Sequence, residues 1–339
     1  MALPLFKLPI LVIKLLLETM GFVEIFLLTR TSLKIKRIYK HLVTIQNYEM
    51  RLYLENEVFI FEFQTKSGPI FNTAIYLNPK EYQHEDLFQL KFGSSDLAPS
   101  AFCITINGNL YLNVYWNRSI NQATELYNAL LEVFRIPLKG IQMDLHDVSV
   151  ETHRSWINWN NEYFSDASYM AIKGTCSFHD YSWILENLRT QTLFFDVLPT
   201  DYPEDPGNIA PVNIELAEIY IQNGRWINMQ QLITFKAQSI SIRDTALTDL
   251  EINQVLRDWR DSEIPPKLEQ LCIYFNREAN LDVVLQGLDA TDEDLMKPDG
   301  TLDQWSFNMT NGKKCKAIYA EYEDDVSEFG FEFQVGNNQ

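Results

Sequence analysis

The sequence predicts an α+β protein, and three observations predict it. An apolar segment with helical periodicity fills residues 1–45. Alternating apolar and polar runs, one pair split by Asn-Gly, fill 46–150. From 151 to 339 strand patterns and short helical patterns take turns at near-regular steps. These three stretches are the expected domains: a small helical domain, a small mixed β-sheet and helix region with antiparallel hairpins, and a repeat-like α/β region. A chain of 339 residues suits two or three domains.

In the first stretch Ile13, Leu16, Leu17 and Met20 fall at i, i+3, i+4 and i+7, one face of a helix. Gly21 permits a stop. Phe22, Ile25, Phe26 and Leu28 predict a second short helix. Thr31 or Ser32 can cap a third, which carries Ile35, Ile38 and Leu42 above a basic face of Lys34, Lys36, Arg37 and Lys40. A membrane span needs about 18 residues with few or no charges. Lys14 and Glu18 interrupt this run and Pro9 sits near its start. A secretory leader needs a basic start and a small-residue cleavage site, and neither pattern is present. Neither a membrane segment nor a leader is therefore expected. Three short helices bury little surface among themselves, so an apolar face here is expected to meet something else.

The middle stretch changes to alternation. Val58 to Phe63, Ala74 to Leu77 and Leu87 to Phe92 read as strands, separated by Ser67-Gly68-Pro69 and Asn78-Pro79. Phe102 to Ile106 and Leu110 to Tyr115 flank Asn107-Gly108-Asn109, a hairpin signal. Together they predict a small antiparallel sheet. Ala123, Leu126, Tyr127, Leu130, Leu131 and Phe134 then keep a 3.6 period, with Ser119 or Asn121 as cap and Pro137 as stop. Ile141 to Leu145 reads as one more strand.

In the last stretch strands are expected to start at Tyr169, Leu193, Leu216, Ser239 and Leu268, at steps of 24, 23, 23 and 29 residues. Helices are expected between them near Tyr181 to Leu188, Trp226 to Phe235 and Asp249 to Trp259. Thr248 and Glu251 have capping-box spacing. The steps fall within or near the leucine-rich-repeat range, where no unit buries its face without neighbours. The leucine signature is degenerate. Pro199 to Pro211 reads as a surface loop. Lys316 to Tyr322 and Phe329 to Val335 predict a C-terminal hairpin that caps the array.

The chain is 46% hydrophobic with a net charge of -18. That is ample for a core, and it disfavours nucleic acid as a partner. Four separated cysteines without a CxxC fit reduced thiols inside a cell. Asn117-Arg118-Ser119 and Asn308-Met309-Thr310 read as chance glycosylation patterns. No phosphate loop, nucleophile elbow or HExxH is present.

Four clusters bear on chemistry or binding. Asp144, His146, Asp147 and His153 can be a metal set or a polar strand end, and the second is the expectation. Cys176 with His179 can be a thiol and base, or a core cysteine beside a helix cap, and again the second is expected. Trp156, Trp159, Tyr163 and Phe164 interleave with asparagines, a composition typical of interface centres, so they are the candidate target contacts; ordinary core aromatics are the alternative. Glu321, Glu323, Asp324, Asp325 and Glu328 read as a solvated turn, or a site for a basic partner. No catalytic residue, metal or cofactor is expected.

The first stretch resembles an F-box, the motif by which receptors dock on the adaptor of SCF (Skp–cullin–F-box) ubiquitin ligases. Leu8 and Pro9 look like its opening Leu-Pro pair. Ile13, Leu16 and Leu17 match its first helix. Glu24, Ile25 and Leu28 match its acidic-then-apolar step, and Ser32 and Lys36 its last helix. Ile10 and Leu11 stand where the family commonly has acidic residues, and Phe22 where it often has proline. Phe194 to Phe275 is similar to the F-box-associated domain of type 2, common in nematode-type F-box proteins. The similarity rests on Trp226-Ile227, Ile240 to Ile242, the run LTDLEINQVLRDW at Leu247 to Trp259, and LEQLCIYF at Leu268 to Phe275. The resemblance implies a non-catalytic, cytoplasmic or nuclear substrate receptor. Its partners would be the SCF adaptor, cullin through it, and an unidentified target protein. Leu8, Pro9, Ile13, Leu16, Leu17, Ile25 and Leu28 would meet the adaptor. A scaffold with no ligase link is the alternative reading.

Overall fold

The computed structural model describes residues 7–42, 48–65, 73–78, 88–90, 98–104, 110–115, 120–165, 167–202, 212–261, 268–292, 302–323 and 327–336. The chain divides into two units. The first holds Met1–Val148 with Glu162–Ala167, and the second Ser149–Asn161 with Ser168–Gln339.

The first unit begins with α1 (Ile10–Thr19), α2 (Phe22–Thr31) and α3 (Leu33–Leu42), as the periodicity predicts. The Ser32 hydroxyl accepts from the Ile35 N–H at 3.3 Å, so it caps α3. Then come β1 (Tyr48–Glu55), β2 (Val58–Thr65), β3 (Thr73–Asn78), β4 (Phe88–Leu90), β5 (Ala98–Ile104), β6 (Leu110–Tyr115), α4 (Ile120–Phe134) and β7 (Leu138–Asp144). Their sheet runs β7-β1-β2-β3-β6-β5-β4. The expected hairpin of β5 with β6 is there, and β2 pairs antiparallel with β3 and with β1. The sheet is nevertheless mixed, because β1 runs parallel to β7 and β3 parallel to β6. The Asn107-Gly108 turn lies outside the described residues. Strand β1 was not anticipated. It reaches β2 through Asn56 and Glu57, both at positive φ (48° and 62°), the conformation of a tight primed turn.

The buried face of this unit is aromatic. Phe22 of α2 stacks on Phe63 of β2 with centroids 4.5 Å apart, and Phe134 of α4 meets Phe22 edge-on at 4.9 Å and Phe63 at 5.2 Å. Tyr39 of α3 adds an edge contact to Phe134 at 6.1 Å. Helices α2 and α3 thus share one core with α4 and the sheet.

The second unit opens with α5 (Val150–Tyr163), a helix not anticipated, whose last two residues fall in the first unit. There follow β8 (Tyr169–Cys176), α6 (Phe178–Asn187), β9 (Thr192–Pro199), β10 (Glu218–Ile221), α7 (Met229–Thr234), β11 (Ser239–Ile242), α8 (Asp249–Arg260) and β12 (Gln270–Phe275). Strands β8 to β12 pair in sequence order and all in parallel. This is the serial strand-and-crossover array that the spacing predicts. After α9 (Leu281–Val284) come β13 (Thr291–Asp292), β14 (Leu302–Asn308), β15 (Lys314–Glu323) and β16 (Ser327–Gly336). The expected β15–β16 hairpin closes the array, with β16 antiparallel to β12, and the unanticipated β14 extends it.

Each parallel strand sends alternate residues to opposite faces. Met170, Ile172, Leu193, Phe195, Val197, Ile219, Ile221, Ile240, Ile242, Leu271 and Ile273 are buried. Helices cover that side: Tyr181 of α6 lies edge-on to Phe195 at 4.7 Å, and the Trp226 indole donates to the Tyr181 hydroxyl at 3.0 Å. Gly224 is required where the chain crosses close to β11. A Cβ there would meet Ile242 Cγ2 at 2.3 Å and the Arg243 carbonyl at 2.8 Å.

Candidate docking and target-binding surfaces

Helix α1 is built with more apolar surface than its own unit covers. Ile13 and Leu17 face inward and are buried. On the other side Ile10, Leu11 and Leu15 are 57%, 65% and 55% exposed, with Val12 and Leu16 also exposed. Leu33, at the start of α3, is 72% exposed. A solvated helix face normally carries charge, and here only the Lys14–Glu18 pair does, at 3.6 Å. The helix starts at Pro9, whose carbonyl accepts from Val12 and Ile13, and no side chain caps it.

Of the residues expected to meet an adaptor, Leu16 and Pro9 are exposed, Leu8 and Leu28 half-buried, and Ile13, Leu17 and Ile25 buried. The buried three hold the helices against the unit. Ile10, Leu11, Val12 and Leu15, exposed beside Leu16, are not among the residues that the sequence singles out for docking. Their signal was the apolar pair Ile10-Leu11 in place of acidic residues. Helix α3 is tied down by Lys36 and Lys40, whose ammonium groups both reach the Glu132 carboxylate of α4. The Lys36 hydrogen bond holds that carboxyl below its usual range despite some burial.

In the second unit the sheet face opposite the helices is uncovered by any described element. Its outward residues line up in register across the parallel strands. One row is Tyr169, Thr192, Glu218, Ser239 and Gln270. The next is Ala171, Phe194, Tyr220 and Ser241, and it ends on Cys272, which is buried. Phe194 stacks on Tyr220 (4.6 Å, 10° between planes), and Tyr169 meets Phe194 edge-on at 6.3 Å. Phe194 is 43% and Leu198 47% exposed. Asp196 accepts from the Asn223 amide at 3.3 Å and Glu218 from the Thr192 hydroxyl at 3.1 Å. Burial, together with the nearby Glu218 carboxylate, pushes the Tyr220 hydroxyl pKa up.

Where β10 and β11 give way to α7 and α8, a recess of about 430 Å³ is lined by Arg225, Ile227, Asn228, Met229, Leu247 and Glu251 among others. Its charged walls are already engaged. Arg225 donates to Asp244 at 2.7 Å, and Glu251 accepts from the Thr248 N–H and hydroxyl at 2.8 Å each.

The expected aromatic contacts do not form one displayed patch. Trp156, Trp159 and Phe164 are each 3% exposed, and only Tyr163 is at the surface. The remaining candidates resolve into structural roles. Asp144 pairs with His146 at 2.7 Å, and no three metal-binding side chains group together among the described residues. The Cys176 thiol is pushed up to about 12 by burial and by the carboxylates of Asp180 and Asp201, so it holds no thiolate near neutrality. Asp180 is committed to Arg154 at 2.8 Å. Asp324 and Asp325 of the acidic run lie outside the described residues, as does Asn117-Arg118-Ser119. No described helix is long and apolar enough to cross a membrane.

Residues 206–273 match the family described as F-box associated. The matched stretch carries β10, α7, β11, α8 and the first four residues of β12. No curated protein and no solved structure matches the chain. The conspicuous polar residues of the matched stretch are internal fastenings. Asn253 donates to the carbonyls of Val284 (2.8 Å) and Gln286 (2.9 Å), and the Trp259 indole to that of Leu268 (3.2 Å).

Proposed function

We propose that the chain is the substrate-recognition subunit of an SCF-type ubiquitin ligase, with the F-box-associated stretch as part of its target-holding unit. The observation that carries this reading is the apolar outer face of α1. Five adjacent aliphatic side chains in water are a cost that a partner's apolar groove removes, at about 1.5–3 kcal/mol for each side chain fully buried. The adaptor, and cullin through it, would meet Leu16 and Pro9 together with Ile10, Leu11, Val12 and Leu15. Leu8 and Leu28 would border that face, and Ile13, Leu17 and Ile25 would support it from behind. The target protein would be held by the second unit. The mechanism is proximity without chemistry in the chain itself: a captured target lies at high effective concentration beside a ubiquitin-loaded enzyme. An SCF receptor works in the cytoplasm or the nucleus. No nucleic acid, membrane or cofactor enters this reading.

One observation favours the alternative, a scaffold with no ligase link. Phe22, Phe26 and Tyr39 complete the core of the first unit, which gives the helices a purpose without an adaptor. For the same reason, deleting residues 1–45 would uncover Phe63 and Phe134 and confuse docking with unfolding. The test is therefore capture of purified adaptor by the intact chain and by a Leu11→Asp/Leu15→Asp variant. Capture by the first only is expected. Absence of capture by the intact chain would leave the scaffold.

A further inference from the structure

We infer that the open face of β8, β9 and β10 takes a basic, Lys- or Arg-rich segment of a bound protein. The inference rests on the reading that the second unit holds a target, and it names the chemistry of that target.

Three features of the face converge. The first is an aromatic stripe: Tyr169, Phe194 and Tyr220 sit on three neighbouring strands, with Phe194 and Tyr220 stacked 4.6 Å apart. Aromatic π-faces attract ammonium and guanidinium groups, more strongly as the site is dried. The second is carboxylate placement. Glu218 precedes Tyr220 by two residues and Asp196 follows Phe194 by two, so both share the outward face with the rings and lie at opposite edges of the stripe. Each accepts one hydrogen bond from a neutral side chain, Thr192 for Glu218 and Asn223 for Asp196. The third is the charge of the whole chain, -18, which draws a basic partner and repels an acidic one. Leu198, 47% exposed beyond Asp196, offers apolar surface for the aliphatic stems of Lys or Arg. Lys173, in register with Asp196, bounds the stripe on β8, and Arg243, two residues past Ser241 and 5.1 Å from the Tyr274 ring, bounds it on the β11 side.

The experiment measures binding of a fluorescent Lys/Arg-rich peptide, and of an Asp/Glu-rich peptide of equal length, to the full chain by anisotropy. The basic peptide should bind and the acidic one should not. Phe194→Ser removes a ring without altering charge and should weaken binding about tenfold. Asp196→Asn with Glu218→Gln should weaken it by a similar factor or more. Glu186→Gln removes an exposed charge on α6, on the helix side, and should change binding less than twofold. Phe194 is half exposed, so a thermal melt should show the variant folded. Basic-peptide binding unaffected by Phe194→Ser, or reduced as much by Glu186→Gln as by the sheet-face pair, would overturn the inference in favour of diffuse attraction to a negative chain. Binding of the acidic peptide would also overturn it. So would self-association of the chain that Phe194→Ser abolishes, because the face would then belong to a second copy. Adaptor capture read on the same preparations separates this idea from the ligase reading. Capture without peptide binding removes this inference alone, and peptide binding without capture removes the ligase link alone.

Discussion

Helices α1 and α8 are nearly equal in length and opposite in finish. Helix α8 carries a capping box, Thr248 with Glu251, and buries Ile252, Asn253, Val255, Leu256 and Trp259 on one face. Of its large apolar residues only Leu250 is exposed. Helix α1 has no side-chain cap, buries only Ile13 and Leu17, and leaves five aliphatic residues in water. Among the described residues, one helix is completed by its own chain and the other is not. The difference teaches how to separate apolar residues that hold a fold from those that the fold leaves exposed: by which face they occupy, since their composition is the same.

The comparison can be broken most sharply at its finished end. Trp259→Ala removes a buried ring and its hydrogen bond to Leu268, and should cost about 3–5 kcal/mol in denaturant unfolding of the second unit. A loss near zero would mean that α8 is not completed internally. The next test sets two leucines of α1 against each other. Leu17→Ala should cost about 2–5 kcal/mol, whereas Leu15→Ala should stay within about 0.5 kcal/mol of the parent. Equal losses would erase the distinction between the two faces. Thr248→Ala removes one half of the capping box and should cost about 1 kcal/mol, seen as a small drop in denaturation midpoint.

The smallest effect concerns the clasp that holds α3 to α4. Lys36 and Lys40 lower the Glu132 carboxyl pKa below its ordinary 4.5 in the folded chain. Stabilisation from this clasp is therefore present above pH 4.5 and is lost as pH falls through the lowered value. The carboxylate is half exposed, so solvent screening keeps the effect at about 0.5 kcal/mol or less. Glu132→Gln should flatten that part of the acid dependence of unfolding and leave neutral stability almost unchanged.

Elements with one clean period were legible. The N-terminal helices, α4, the capped α8 and the serial strands were all readable from spacing. Strand β1 hid because its turn, Asn56-Glu57, puts a glutamate at positive φ where Gly is the usual signal. Helix α5 hid because its buried positions, His153, Trp156, Ile157 and Asn160, keep helical spacing but include two polar residues. The parallel pairings of β1 with β7 and β3 with β6 join segments far apart in the chain, which no local pattern specifies. The surfaces were harder still. Tryptophans drew attention at 156 and 159, yet both are interior. The open sheet face was invisible because its residues are ordinary until the helices choose the other side.

The aromatic contact of Phe22 with Phe63 and Phe134 has a consequence for how the chain is made. Helices α1 to α3 leave the ribosome before their core partners, which arrive with β2 and, later, α4. Lys36 and Glu132, which clasp α3 to α4, are 96 residues apart. A nascent chain should therefore be unable to recruit an adaptor until synthesis has passed α4. Ribosome-stalled chains of increasing length, tested for adaptor capture, should show onset only after residue 134 has emerged; capture by shorter chains would show that α1 needs no such support. On the receptor reading proposed above, the order of translation would itself be a check that keeps half-built chains from an adaptor.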